Sequence, residues 1–199
     1  MIAVSQMFFL HRPSEARIRE ILESQRMAEF SYAEVGATRA SPPGSYNVHH
    51  GRRLIGHGPA AFAQAKNAIR RWEMFHNGWT HLCWPAAPIE SGTTVAMLAG
   101  YLGLYSLNFC RIVYVIDEPR RYGFAYGTLP DHVEEGEERF VVDWLEHGSV
   151  WYDVFAFSRP RHLLAKIGNP LVRALQSKFR RDSGRAMQAA VAAELYTLK

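Results

Sequence analysis

The chain reads as an α+β protein whose antiparallel sheet closes over a cavity against a C-terminal helix. Three observations predict this. Residues 110–162 alternate like a run of strands rich in aromatic side chains. Residues 170–196 carry one long amphipathic helical pattern. The full 199 residues suffice for one sizeable core, so one domain over 1–199 is expected.

The elements follow in order. Pro13 suits the first turn of a helix over about 13–27, where Ile18, Ile21, Leu22 and Gln25 recur at helical spacing. Residues 30–35 alternate like a short strand that Gly36 stops. Residues 38–58, with the Pro42-Pro43-Gly44 turn signal, read as a long loop carrying two short edge strands at 46–48 and 53–55. A second helix opens at Gly58-Pro59, shows a stripe of Phe62, Ala65, Ile69, Trp72 and Phe75, and ends at Asn77-Gly78. Strands are expected over 80–84, 93–99, 101–109, 111–116 and 122–128, with a hairpin of 138–144 and 149–157 turning around His147-Gly148. In the strand at 122–128, Tyr122, Phe124 and Tyr126 share one face and Gly123, Ala125 and Gly127 the other. The bare face permits close approach of another backbone or of a ligand, and packing by the last helix is the favoured of the two. Ser158 and Arg159 stand before a short helix expected over 161–167. Leu171, Leu175, Phe179, Met187, Val191 and Leu195 form the stripe of the last helix.

Composition narrows the class. Hydrophobic residues make up 48% and charged residues 21%, the balance of an ordinary globular protein. The net charge is +4, but the pairs Arg52-Arg53, Arg70-Arg71, Arg120-Arg121 and Arg180-Arg181 are scattered among acids, not gathered in a phosphate-tracking stripe. No nucleic-acid partner is therefore expected. No apolar run approaches the ~20 residues of a membrane span, and residues 1–10 lack the basic front and cleavage site of an export signal. Cys83 and Cys110 lie far apart and are expected to be reduced, in a cytoplasmic protein. No phosphate-cradling glycine loop, nucleophile elbow or activated cysteine occurs, so no cofactor is expected.

The runs Cys110-Arg111-Ile112-Val113-Tyr114-Val115, Gly123-Phe124-Ala125-Tyr126-Gly127-Thr128-Leu129-Pro130 and Gly136-Glu137-Glu138-Arg139-Phe140 are joined by Trp151-Tyr152, Phe157-Ser158-Arg159-Pro160-Arg161-His162 and Arg181-Asp182-Ser183. Together they resemble a family of domains of unknown function associated with the helix-grip superfamily, which includes START lipid-transfer domains, aromatase/cyclases and pollen-allergen-type carriers. The resemblance covers about residues 30–187. It implies a curved antiparallel sheet gripping the long helix around an apolar cavity, and it assigns no reaction.

Binding of a small hydrophobic or aromatic molecule in that cavity is the leading expectation. Tyr114, Phe124, Tyr126, Trp151 and Phe155 would supply walls, and Arg111, Tyr152 and Arg159 polar contacts, depending on which strand face turns inward. In one register of the last hairpin, Arg139, Asp143 and Tyr152 share a face, with Asp153 opposite among Phe140, Val142 and Trp144. An alternative is a cyclase- or hydrolase-type enzyme on the same cavity, with Tyr126, His132 or Glu138 as acid–base groups. The cluster His132, Glu134, Glu135, Glu137 and Glu138 reads mainly as a solvated loop, and His49-His50 with His57 lacks a third fixed ligand, so no metal is expected. Arg159, Arg161 and His162 could take an anion, or anchor the corner through neighbouring acids. A third reading is an interaction module for an acidic partner, resting on exposed arginines. Oligomeric state is not legible.

Overall fold

The computed structural model describes residues 8–40, 44–161 and 169–197, and of these the side chains of all but 169–172 and 194–197. The expected Pro42-Pro43 turn, the helix over 161–167 and His162 lie outside the described residues, as do the side chains of Leu171 and Leu195.

Among the described residues eight strands form one antiparallel sheet: β1 (Phe8–Phe9), β2 (Asn47–His57), β3 (Thr80–Leu82), β4 (Thr94–Tyr101), β5 (Leu104–Glu118), β6 (Arg121–Thr128), β7 (Glu134–Trp144) and β8 (Ser149–Pro160). Their spatial order is β2-β8-β7-β6-β5-β4-β3, with β1 paired to β5. Among the described residues three α-helices accompany them: α1 (Glu15–Gln25), α2 (Gly58–Arg70) and α3 (Asn169–Thr197). The sheet curls around α2 and α3 on its concave side, while α1 covers the convex side. This is the helix-grip arrangement expected from the sequence.

Strand alternation builds both layers. Cys110, Ile112, Phe124, Tyr126, Phe140, Val142, Tyr152 and Val154 point inward and meet Phe62, Ala65, Ile69 and Trp72 of the α2 region and Met187 and Val191 of α3. Ala96, Leu98, Leu107 and Phe109 point outward and meet Ile18 and Ile21 of α1. Ser14 caps α1 by accepting from the Arg17 amide at 3.3 Å.

Several elements depart from expectation. Residues 30–35 form no strand; they are an irregular segment tied to β6 by the Ser31 amide donating to the Thr128 carbonyl at 2.9 Å. This segment, not the last helix, covers the bare face of β6: a Cβ at Gly127 would lie 2.2 Å from the Tyr32 hydroxyl. The presumed loop over 38–58 contains one continuous strand, β2, whose ladder runs the length of β8. Val48, His50, Arg52 and Leu54 point outward and His49 and Arg53 inward, so neither face is cleanly apolar and pairing makes it a strand. The helix α2 stops at Arg70 because Trp72 adopts φ 58°, a left-handed conformation costly for a bulky residue. Complete burial of Trp72 against Phe124 (centroids 4.8 Å apart) and its indole donation to the Ala87 carbonyl at 3.0 Å offset that cost.

Strands expected at 101–109 and 111–116 are one, β5, which begins after the left-handed turn Leu102-Gly103. A bulge lies where Ile112 opposes Tyr126 but Tyr114 opposes Ala125. Ile112 faces the core, and Tyr114 is thereby turned to the convex side. The last hairpin pairs Arg139 with Phe155 and Phe140 with Val154. Arg139, Asp143 and Asp153 therefore share the convex face, and Tyr152 faces inward, the opposite of the register weighed from sequence. Finally, β7 begins at Glu134, so the acid-rich segment read as a solvated loop is ladder backbone.

Candidate functional site

Between the sheet and the first half of α3 lies a cavity of about 440 Å³. Its walls are apolar and come from separate segments: Phe75 after α2, Trp79 before β3, Met97 and Ala99 on β4, and Phe179 on α3. Phe179 stacks on Phe75 with centroids 5.5 Å apart and meets Trp79 edge-on at 6.4 Å. The Trp79 indole donates to Asp182 at 3.2 Å, which orients the ring from α3.

Polar groups lie on the floor, formed by β6, β7 and β8. Tyr126 donates its hydroxyl to the Glu138 carboxylate at 2.8 Å. The two residues oppose each other across the β6–β7 ladder, so alternation places both on the concave face. Burial pushes the Glu138 carboxyl up to about 7, against the opposing pull of the Tyr126 bond and the Arg180 charge. Glu134, two pleats away, is also raised by burial, and it accepts from the Gln176 amide of α3. Gln176 further donates to Ser158 at 3.2 Å. His132 sits with Nδ1 3.1 Å from the Glu134 amide nitrogen, and burial pulls its imidazole down to about 4, which keeps the ring neutral. Asn108 on β5, which is 8% exposed, gives its amide N–H to Ser106 at 2.9 Å, while its Oδ1 has no partner among the described residues. The cavity thus presents aromatic walls and a floor holding a carboxylic acid, a carboxamide and a neutral imidazole.

Tyr126, His132 and Glu138, named from the sequence as acid–base candidates, all line this cavity. Phe124 and Tyr152 face the same side but lie beneath α2 and α3, 0% and 1% exposed. Arg111, Tyr114, Trp151, Phe155 and Arg159 point to the convex face and do not line the cavity. Arg111 donates to the carbonyls of Gln25, Arg26 and Ala28 at 2.8–2.9 Å, fastening the end of α1. Tyr114 meets the Thr38 hydroxyl at 2.7 Å beneath the Arg39 guanidinium. Trp151 donates to Ser149 at 2.8 Å, and Phe155 lies under Arg139. Arg159 pairs with Glu135 over the Tyr46 ring, and Arg161 donates to the Pro130 carbonyl at 2.6 Å; both anchor the corner. Phe75, Trp79, Met97 and Asn108 were not foreseen. Phe75 and Phe179 stood within helical stripes, but nothing local distinguished Trp79 or Asn108.

Glu137 has the opposite assignment to Glu138. It is 2% exposed on the convex side and accepts from the Tyr32 hydroxyl at 2.7 Å and the amides of Gly36 and Thr38 at 2.6 and 3.0 Å, with the Thr38 hydroxyl as a fourth donor. It binds the 31–40 segment to the sheet. Beside it Arg139 donates to the Thr38 carbonyl at 2.7 Å and to Asp153 at 3.1 Å.

A curled antiparallel sheet, a long gripping helix and a cavity between them define a helix-grip protein. Residues 31–186 match the family model described as "Domain of unknown function (DUF1990)". A UPF0548 protein of Dictyostelium discoideum is 32% identical over 93% of this chain and 96% of its own length. One from Deinococcus radiodurans is 34% identical over 91% and 97%. The chain belongs to this DUF1990/UPF0548 family. Among solved structures, a hypothetical protein from Helicobacter pylori superposes with a TM-score of 0.55 at 11% identity, covering 82% of this chain and 96% of that one. The di-domain ARO/CYC protein StfQ from the steffimycin biosynthetic pathway gives 0.52 at 9% identity, covering 75% and 52%. These likenesses concern the fold. Among the described residues, no helix is long and apolar enough to cross a membrane.

Proposed function

We propose that this protein is a cytoplasmic, single-domain binder of a small molecule with an aromatic or apolar body and a polar end. The observation that carries this reading is the division of one cavity of about 440 Å³ into aromatic walls and a hydrogen-bonding floor. Phe75, Trp79 and Phe179 would hold the body. Tyr126, Glu138 and the unpartnered Oδ1 of Asn108 would meet the polar end. Native mass spectrometry of protein purified from its own host tests this. A reproducible bound small molecule that is lost in Ala99→Trp, a variant filling the cavity, supports it. A chain that carries no such molecule, and whose Trp79 fluorescence shows no saturable change with an apolar dye, overturns it.

The raised pKa of Glu138, beside a phenol and a neutral imidazole, favours a second reading on the same floor. Glu138 would exchange a proton with the bound molecule, with Tyr126 and His132 assisting. Any turnover of the co-purified molecule must then fall in Glu138→Gln while its binding persists.

A further inference from the structure

Two of the four arginine pairs in the sequence, Arg52-Arg53 and Arg180-Arg181, meet in the structure. They line a second hollow of about 340 Å³ between β2 and α3, with His50, Ser177 and Tyr152 and, among the described residues, with no carboxylate. The approach of strand and helix is close because each presents a glycine to the other's arginine. A Cβ at Gly51 would lie 3.5 Å from Arg180 Cδ, and one at Gly184 would lie 3.0 Å from Arg53 Cδ. The aliphatic stems lie along the opposite backbone, which leaves the guanidinium groups at the hollow.

Those groups are short of acceptors. Among the described residues, Arg53 and Arg181 have no hydrogen bond or ion pair, and the buried Nε of Arg53 is unpartnered. Arg180 donates to the Ser177 hydroxyl at 2.9 Å, which frees that hydroxyl's own proton to donate. Asp153, on the strand beside β2, faces the convex side and is taken by His50 and Arg139. The Glu138 carboxyl on the cavity side favours the Arg180 charge, but Arg53 and Arg181 have no such partner among the described residues, and the gathered guanidiniums repel one another unless an anion joins them. A carboxylate would occupy one fork. A phosphate offers enough oxygens to engage three.

We propose that the hollow between β2 and α3 is a phosphate site, in which Arg53, Arg180 and Arg181 hold the phosphate group of a small molecule. The site is distinct from the apolar cavity, although Arg180 borders both. Calorimetric titration of the full chain with inorganic phosphate and with pyrophosphate, at ionic strength held constant with sodium chloride, tests it. Saturable binding is expected, weakened about tenfold or more by Arg181→Gln and by Arg53→Gln. Arg19→Gln, on the far face of α1, should leave it unchanged. Arg181 is exposed, so its variant keeps the fold. Absence of saturable binding, or equal affinity in Arg181→Gln and the native chain, overturns the site. Sedimentation with vesicles of phosphatidylcholine, with and without phosphatidic acid, separates the sources of the group. Co-sedimentation dependent on phosphatidic acid and lost in Arg181→Gln assigns a lipid headgroup. Phosphate-ion binding without co-sedimentation assigns a soluble phosphate compound. Retention on vesicles unaffected by Arg181→Gln overturns the site.

Discussion

The Tyr126 hydroxyl and the Glu138 carboxyl face each other at 2.8 Å on the floor of the cavity, and burial holds that carboxyl up to about 7. An unfolded chain releases the same proton near 4.5. Between these values the folded protein holds one more proton than the unfolded one, so stability falls as pH rises through the window and levels above it. The loss attributable to Glu138 is on the order of 3 kcal/mol. Glu138→Gln keeps an acceptor for Tyr126 and cannot ionise. Urea unfolding of both proteins from pH 4 to 8 should give a difference curve that climbs in favour of the variant between 4.5 and 7. Parallel curves would contradict the assignment.

His132 carries the opposite sign. Its buried ring is protonated only near pH 4, against 6.5 for a fully solvated imidazole. The unfolded chain therefore takes up a proton first on acidification, and the stability this ring preserves at neutral pH is lost as pH falls from 6.5 to 4. Side-chain ¹H–¹⁵N spectra should show His132 neutral at pH 5.5 and titrating near 4. Protonation near 6.5 would mean that the ring is reached by water.

Removing the Glu137 carboxylate leaves buried donors at Tyr32, Gly36 and Thr38 with nothing to bond. Glu137→Ala should cost about 3 kcal/mol or more. Hydrogen exchange should quicken across 31–40 more than across β4 or β5, whose ladders do not involve that segment. Uniform quickening would show that the residue acts on global stability alone.

Much of this arrangement was legible in the chain. The stripe of the last helix is long enough for its period to dominate, and the alternation of Tyr122, Phe124 and Tyr126 fixed a shared face before the sheet was known. Other features depended on partners that no local pattern contains. Asn47–His57 mixes apolar residues with His and Arg across its two faces and becomes a strand because β8 offers a ladder along its length. Glu134, Glu137 and Glu138 look solvated in sequence, because the Gln176, Thr38 and Tyr126 groups that accommodate them are 12 to 99 residues away. The convex placement of Arg111, Trp151, Phe155 and Arg159 followed from which face turned inward, and that depended on where α2 docked. The cavity walls combine residues that lie far apart along the sequence, from Phe75 to Phe179, so only the folded chain assembles them.

The bulge in β5 divides that strand into halves of opposite phase. Val113 is the extra residue, so deleting it would set Tyr114 directly after Ile112, opposite Ala125 as before, and the strand would become regular without moving any side chain to the other face. The even-numbered Cys110 and Ile112 and the odd-numbered Val115 therefore serve the same core. Anyone who carries one parity through the whole strand assigns every residue beyond Val113 to the wrong side.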